Sequence, residues 1–542
     1  MNDKVYGIDL GTTYSAVSVM NDVGLAEIVK NFIGEDTTPS VIYFEADGSV
    51  LVGSQAKQTQ VSDPENACSL IKRHMGEDYP LEFRGKSFSP ESLSALILKE
   101  LVNSANSQNG LDIRKAVITV PAYFGIQERQ ATKQAGEIAG LEVVGIVPEP
   151  VAAAISLGTR QDEELTLLVF DLGGGTFDTT ILKARAGKVE VVAIDGNRLL
   201  GGADWDNRLE SVFLEKFVQQ ADLGDEDPSL DDDFMTDLKI EVEGSKKVLT
   251  LRPAAKLLLR YQDKKQSVEV TRAEFEAATA DLVAQTVEIT QRVLETARAK
   301  IPGLAIDRLL LVGGSSRMPM VEAALGQAGF SPERTDFDLS VAKGAAIHGQ
   351  GLLSGDSIHQ YEFGDGPTSG AARSDDTGNA AKARPGVGPA RTVVTNVLSR
   401  GLGVQVVRDT PSGDYQDYVT FLAHANDSLP LSALMEGGII RDGQSSVEVP
   451  LYEQGGETES EALEDNKQMT SGPSTTIIGL PPLRKGDPIN VTLEVSEEGI
   501  ATLVVVEPTS GLSFKAEAAV SVLSQEDVEK ATRQVSGITT LS

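Results

Sequence analysis

Apolar residues follow two rhythms along this chain. Through residues 1–353, strand-length apolar runs alternate with stretches whose apolar positions recur every three or four residues. "VYGIDLGTTYSAVSVM" (Val5–Met20), "KAVITVP" (Lys115–Pro121), "LLVFDLGGGTFDTTIL" (Leu167–Leu182) and "DRLLLVGG" (Asp307–Gly314) read as strands and their turns. Gln127–Gly140 and Thr271–Lys300 read as helices. In the second, Phe275, Leu282, Ile289 and Val293 fall near one face. Its opening "TRAE" predicts a capping box, with Thr271 as the cap and Glu274 reaching back. Strands alternating with helices predict an α/β architecture.

From Ser354 to Pro389 the periodicity disappears into Gly, Ser, Asp, Ala and Pro, which reads as a flexible linker over 354–390. Short runs bounded by turn residues then predict a small antiparallel β-sandwich over 391–524: "GLGVQVV", "YVTFLAH", "SSVEVPLY", "INVTLEV", "IATLVVVE" and "FKAEAAV". Ser524–Val535 predicts a short helix capped by Ser524, so 525–542 is expected to be a helix or tail.

Composition narrows the picture. A chain of 542 residues is too long for one core. No apolar run reaches membrane-spanning length, and "MNDKVYGIDL" does not have the pattern of a secretory leader, so a cytoplasmic location is the expectation. The net charge of −32 argues against nucleic acid or anionic membrane as a partner. Cys68, the sole cysteine, excludes an intrachain disulfide and is expected to be a buried, inert thiol.

The two glycine turns carry the candidate chemistry. Asp9-Leu10-Gly11 and Asp171-Leu172-Gly173 stand in matching strand contexts. Gly lets backbone N–H groups approach a ligand, Thr adds a hydroxyl, and Asp offers oxygen to a hard cation such as Mg2+. A duplicated fold would set the turns facing each other across a cleft, gripping nucleotide phosphates with Asp9 and Asp171 flanking one metal. Gly85-Lys86-Ser87 resembles the end of a P-loop, but Pro80 stands where the first Gly belongs. A third turn, Gly313-Gly314 between a strand and a helix, suits an adenosine or α-phosphate.

These residues, with "IKRHMG", "VITVPAYFGIQERQATKQAGEIAGLEVVGIVPEPVAAA", "LGGADWD", "VGGSSRMPMV" and "SVAKGAA" in the same order, resemble the heat shock protein 70 family. The resemblance implies an actin-like, duplicated ribonuclease H-like ATPase domain of two lobes, followed by a peptide-binding β-sandwich. It implies ATP/ADP and Mg2+, with K+ as a further candidate cation. Asp9 and Asp171 match metal-side acids, and Gly11, Thr12 and Thr13 the first phosphate turn. Gly173, Gly174, Gly175 and Thr176 match the second turn, with Asp178 beside it. Lys72 matches the lysine next to the γ-phosphate and attacking water, and Glu149 an acid near both. Lys72, Glu149, Asp171 and Thr176 are therefore the implied catalytic set. Gly201 and Gly202 match a further glycine pair. Glu243, Lys246, Lys247 and Thr250 would bracket base and ribose, and Gly313, Gly314, Arg317 and Asp338 would close that pocket. Pro121 and Arg129 match a switch that relays nucleotide state to the second domain. Implied partners are unfolded or extended polypeptide and a nucleotide-exchange factor.

The sequence also departs from the family. The long helical lid is reduced to Ser524–Val535, which predicts weak, fast peptide binding. In "RTVVTNVLSRGLGV", Asn396 takes an acidic position, putting strand-like docking of this connection in doubt. Val144-Gly145 replaces basic residues that receive J-domain co-chaperones, leaving that partner open. The main reading is an ATP-driven chaperone. The alternative is a nucleotide-switched interaction protein with one dedicated partner. A sugar kinase on the same fold finds no support outside the ATPase motifs.

Overall fold

The strands of the two glycine turns begin two sheets that repeat one another. In the computed structural model, the first sheet orders Glu142–Pro148, Lys115–Val120, Tyr6–Asp9, Tyr14–Met20 and Ala26–Val29. The second orders Pro332–Arg334, Arg308–Val312, Glu164–Leu172, Phe177–Arg185 and Lys188–Asn197. In both, a three-strand antiparallel meander is followed by a strand that returns parallel to its first member. The structure describes residues 4–541 except 111, 113, 159–162, 222, 224–225, 335–338, 355–391, 411–413, 457, 470–475, 497–498 and 518–522. The expected linker therefore lies outside the described residues, apart from Ser354, which closes a helix.

Each lobe has its own core. The second is built on Phe170, Phe177, Trp205, Phe213 and Phe217, all fully buried. Between the lobes runs a third cluster, joining Val117 and Val151 to Val169, Leu182 and Leu310. The Ser340–Ser354 helix seals this junction, crossing the first sheet and the Glu149–Leu157 helix. It gets close because its neighbours are small. A Cβ on Gly344 would lie 1.7 Å from the Ala152 carbonyl oxygen, and one on Gly7 would lie 2.1 Å from the Ala346 nitrogen. Gly344→Ala is expected to lower unfolding stability by about 1–3 kcal/mol, read from a denaturant melt.

Thr271–Lys300 is two helices and not one. Arg272–Ala278 carries the expected Thr271–Glu274 capping box. Thr279, whose hydroxyl donates to the Phe275 carbonyl at 2.8 Å, leaves helical geometry before Ala280–Lys300 resumes. Periodicity carries across this break, and Phe275, Leu282, Ile289 and Val293 are all buried as read. Cys68 is buried in the first lobe, and burial pushes its thiol up to about 12. It should resist alkylation in the native protein at neutral pH and react fully once unfolded.

The later residues form antiparallel sheets around a shared core of Leu402, Val404, Val491, Leu493 and Leu503. Strands Leu431–Gly438 and Thr476–Leu483 escape the hydrophobic pattern. The first alternates only between half-buried and exposed positions, and the second contains Pro481 and Pro482. "SSVEVPLY" divides into Gln444–Glu448 and Leu451–Gln454 around Pro450.

The connection does dock, which corrects the expectation drawn from Asn396. Val393–Thr395 adds as a sixth, parallel strand to Lys188–Glu190 of the second lobe. Strand pairing uses backbone groups and is indifferent to the missing acid. The Val393 N–H donates to the Gly187 carbonyl at 2.9 Å, and Val397 is buried in the interlobe cluster. Asn396 contributes its own carbonyl, which accepts from the Leu429 N–H at 3.0 Å.

Candidate active site in the cleft

The two turns meet. A Cβ on Gly174 would fall 2.1 Å from Thr13 Oγ1, and one on Gly175 would fall 2.3 Å from Thr12 Cγ2. Only glycine lets the second turn come this close to the threonines of the first. The Gly201-Gly202 pair packs on the same turn: Gly202 N–H donates to the Gly173 carbonyl at 2.9 Å, and Ala203 N–H to that of Gly174 at 2.8 Å. Gly313, at φ +78°, closes the group, since a Cβ there would lie 2.5 Å from Asp171 Oδ1. Gly201→Ala would drive its methyl to 2.4 Å from the Gly175 carbonyl carbon. It is expected to weaken nucleotide binding at least about tenfold by titration calorimetry, with fold stability changed far less.

Acids crowd around these turns. Asp171, buried at the end of its strand, has its carboxyl pushed well above the usual range by burial, then by Glu149, Asp178 and Asp9. Asp178 is pushed up by burial and by Glu149; its Oδ1 accepts from the Ala122 N–H at 3.1 Å. Asp9 accepts from the Thr119 hydroxyl at 3.0 Å. The buried Lys72 Nζ donates to Glu149 Oε1 at 2.6 Å. Lys72 is thus no exposed basic residue. Four acids facing one another with a single ammonium among them leave negative charge that a divalent cation relieves. Among the described residues no three His, Cys, Asp or Glu side chains form a ready metal cage.

A second group bridges the lobes at the cleft edge. Tyr14 OH donates to Glu243 Oε1 at 3.0 Å, and Lys247 Nζ lies 2.8 Å from the same oxygen. Lys57 Nζ pairs with Glu243 Oε2. Burial pushes the Glu243 carboxyl up, but Lys57 and Lys247 outweigh it and hold its pKa at about 2. A folded pKa below the unfolded one means this contribution is complete above the ordinary carboxylate range and is lost as pH falls toward 2. The bridge should therefore survive mild acid. Glu243→Gln should speed nucleotide release several-fold at pH 7 in a stopped-flow chase, by freeing the two lysines.

Of the remaining expected residues, Lys246 Nζ donates to the Gly202 carbonyl at 2.8 Å and to Asp206 at 2.7 Å, tying its helix to the glycine pair. The Thr250 hydroxyl turns back to the Lys246 carbonyl at 3.0 Å. Thr176 is buried beside the second turn, its carbonyl accepting from Gly173 N–H at 3.0 Å. Gly314 and Arg317 bound a single helical turn at the edge of the site. Asp338 lies outside the described residues.

Sequence reasoning passed over Arg73, Tyr14 and Lys57. Arg73 Nε donates to the Gly175 carbonyl at 2.9 Å, and its Nη2 to Asp204 at 3.0 Å. It thereby crosses from the first lobe to the second turn. Tyr14 stands inside the quoted "GTTYS" and could have been found there. Lys57, on a short helix with no motif, gives no such signal.

The cleft is wired to the sandwich. Arg129 donates to the Phe124 carbonyl at 2.9 Å and the Ala122 carbonyl at 2.8 Å, gripping the loop after Pro121. The Ala122 and Tyr123 N–H groups of that loop donate to Asp178. On its other side, Ile126 enters the sandwich core and its N–H donates to Glu453 Oε1 at 3.2 Å. Arg400 sits between two buried acids, 3.4 Å from Glu128 and 3.8 Å from Glu453.

Comparison with known proteins agrees with this geometry. A family profile described as Hsp70 protein matches residues 5–83 and 78–365. The chain is 35% identical over 517 residues to the chaperone protein DnaK of Thermotoga petrophila, covering 94% of this chain and 79% of that protein. It is 35% identical over 540 residues to the chaperone protein DnaK of Thermotoga neapolitana, covering 97% and 82%.

Proposed function

The chain belongs to the Hsp70 family, and from that premise we propose that it binds and hydrolyses ATP in the cleft and couples nucleotide state to an extended polypeptide held by the β-sandwich. The observation that carries this reading is the interlocking of the two glycine turns beneath a buried acid cluster containing one lysine. In this reading the substrate is ATP. Gly11 to Thr13 and Gly173 to Thr176 hold its phosphates through backbone N–H groups and hydroxyls. Asp9 and Asp171 would hold Mg2+, which would supply positive charge to offset the charge that builds up during phosphoryl transfer. Lys72 places an ammonium where the departing phosphoryl group becomes most negative. Glu149 orients Lys72 and accepts hydrogen bonds from the attacking water, and Asp178 keeps the Ala122–Tyr123 loop in register with the second turn. Lys246 and Gly313 shape the adenosine end.

Coupling follows from the same bonds. A change at Asp178 moves the Ala122–Tyr123 amides. Arg129 carries that movement to Phe124, and Ile126 presents it to Glu453. Unfolded or extended polypeptide is the partner class this favours. Among the described residues no helix is long and apolar enough to cross a membrane. Steady-state ATPase assays with and without a fluorescent extended peptide test the reading. Turnover with Mg2+ and its modulation by peptide are expected, together with displacement of bound peptide by other apolar extended peptides. Turnover unaffected by any peptide would favour a single dedicated partner, and absence of turnover would remove the reading.

A further inference from the structure

Residues 524–541 return to the first lobe instead of covering the sandwich. Ser524 caps a helix, Gln525–Ser536, through a capping box with Asp527. Val528, Ala531, Val535 and Ile538 are buried in the first-lobe core against the Pro90–Asn109 and Ile126–Ile138 helices. Lys99 Nζ donates to the Val535 carbonyl in the last turn of the helix at 2.9 Å, where the helix dipole also favours a cation, and to the Ile538 carbonyl just past its end at 2.6 Å. Thr540–Leu541 then adds as a parallel strand to Val50–Val52, and the Val50 N–H donates to the Thr539 carbonyl at 3.0 Å. Gln134 and Gln534 add further ties across the seam.

This segment meets the Ile126–Ile138 helix, whose first turn carries Arg129, but its own hydrogen bonds go to Lys99, Val50, Gln134 and Ser87, none of them a residue of the glycine turns or of the acid cluster. Two other attachments of the sandwich reach toward the cleft. Glu453 reaches the Ala122–Ile126 loop, and Asn426 bonds the backbone of Ile194, on the strand that runs beside the second turn. The sandwich is therefore held by two kinds of contact, one hydrogen-bonded to the loop and strand beside the nucleotide turns, the other made by its C-terminal helix and strand on the first-lobe core.

We propose that residues 524–541 are a nucleotide-independent anchor, keeping the sandwich fastened to the first lobe while its cleft-wired contacts loosen and tighten. The consequence is partial undocking: the sandwich pivots about the anchor and does not separate from the ATPase domain. The proposal rests on the nucleotide-binding reading only in that nucleotide is what drives the loosening.

Hydrogen exchange on the full chain, nucleotide-free and with Mg2+ plus ADP or ATP, tests it. Exchange at 525–541 and at Val50 should stay within about twofold across the three states. Exchange at 122–126 and 393–398 should change with nucleotide. Exchange at 525–541 faster by about tenfold in any one state overturns the anchor. Should the cleft amides ignore nucleotide, the functional reading fails, and the anchor is decided on nucleotide-free protein by Lys99→Met and Val535→Asp. Both should speed exchange at 525–541 and Val50 together, and Val535→Asp should also increase the radius of gyration in X-ray scattering. Unchanged scattering and exchange in Val535→Asp overturns it.

Discussion

Lys72→Ala is expected to lower ATP turnover by about 100- to 1000-fold while leaving nucleotide affinity within about tenfold of wild type. An ammonium buried beside the two glycine turns should interact most strongly with charge that develops during the reaction, and less with the bound ground state. The substitution has a side effect that must be separated from this one. Lys72 is the hydrogen-bond partner of Glu149, and removing it leaves a buried carboxylate among Asp171 and Asp178. Lys72→Met combined with Glu149→Gln removes both charges of the pair, so stability should return toward wild type while turnover stays lost. Single-turnover hydrolysis beside a thermal melt measures both. Wild-type turnover in Lys72→Ala would take this residue out of the chemistry.

Arg400→Ala is the second large effect. Arg400 is the cation between Glu128 on the first lobe and Glu453 on the sandwich, and both acids are buried. Truncating it leaves two facing carboxylates without their shared cation, which costs about 3–5 kcal/mol for a buried pair. The cost falls on docking, because the acids part when the domains do. Exchange at 393–398 and at 126 should rise sharply, with 525–541 little changed. Docking should also respond to pH. Burial and Glu128 raise the Glu453 carboxyl above its ordinary value, with Arg400 opposing. A docked pKa above the undocked one means that protons favour docking. The contribution is complete below the ordinary carboxylate range and fades as pH rises through the raised value. Mild acid should tighten docking in wild type, and Glu453→Gln should abolish that dependence. Arg400→Ala with unchanged exchange at 393–398 would show that the ion cluster does not hold the domains.

Strands ending in glycine turns were legible because the chain writes them twice. Apolar runs into Asp9-Leu10-Gly11 and Asp171-Leu172-Gly173 fix both the duplication and the placement of the turns. Family likeness supplied Lys72, Glu149 and Asp178, which local pattern leaves as a basic residue, a helix start and a strand acid. Arg73 and Lys57 stayed hidden because their partners, Gly175 and Glu243, are 102 and 186 residues away in sequence. Family likeness also misled about the connection. It weighed the loss of an acid at Asn396, whereas the strand is held by backbone pairing and by buried Val397. Ser524–Val535 was legible as a helix but not in its destination. Its apolar face fits any apolar partner, and only tertiary structure places it on the first lobe.

Isothermal titration of the folded full chain with MgATP and MgADP tests the central claim most directly. One nucleotide per chain, with binding weakened by Gly201→Ala and retained in Lys72→Ala, is the predicted result. A folded protein that takes up no adenine nucleotide at millimolar concentration contradicts it.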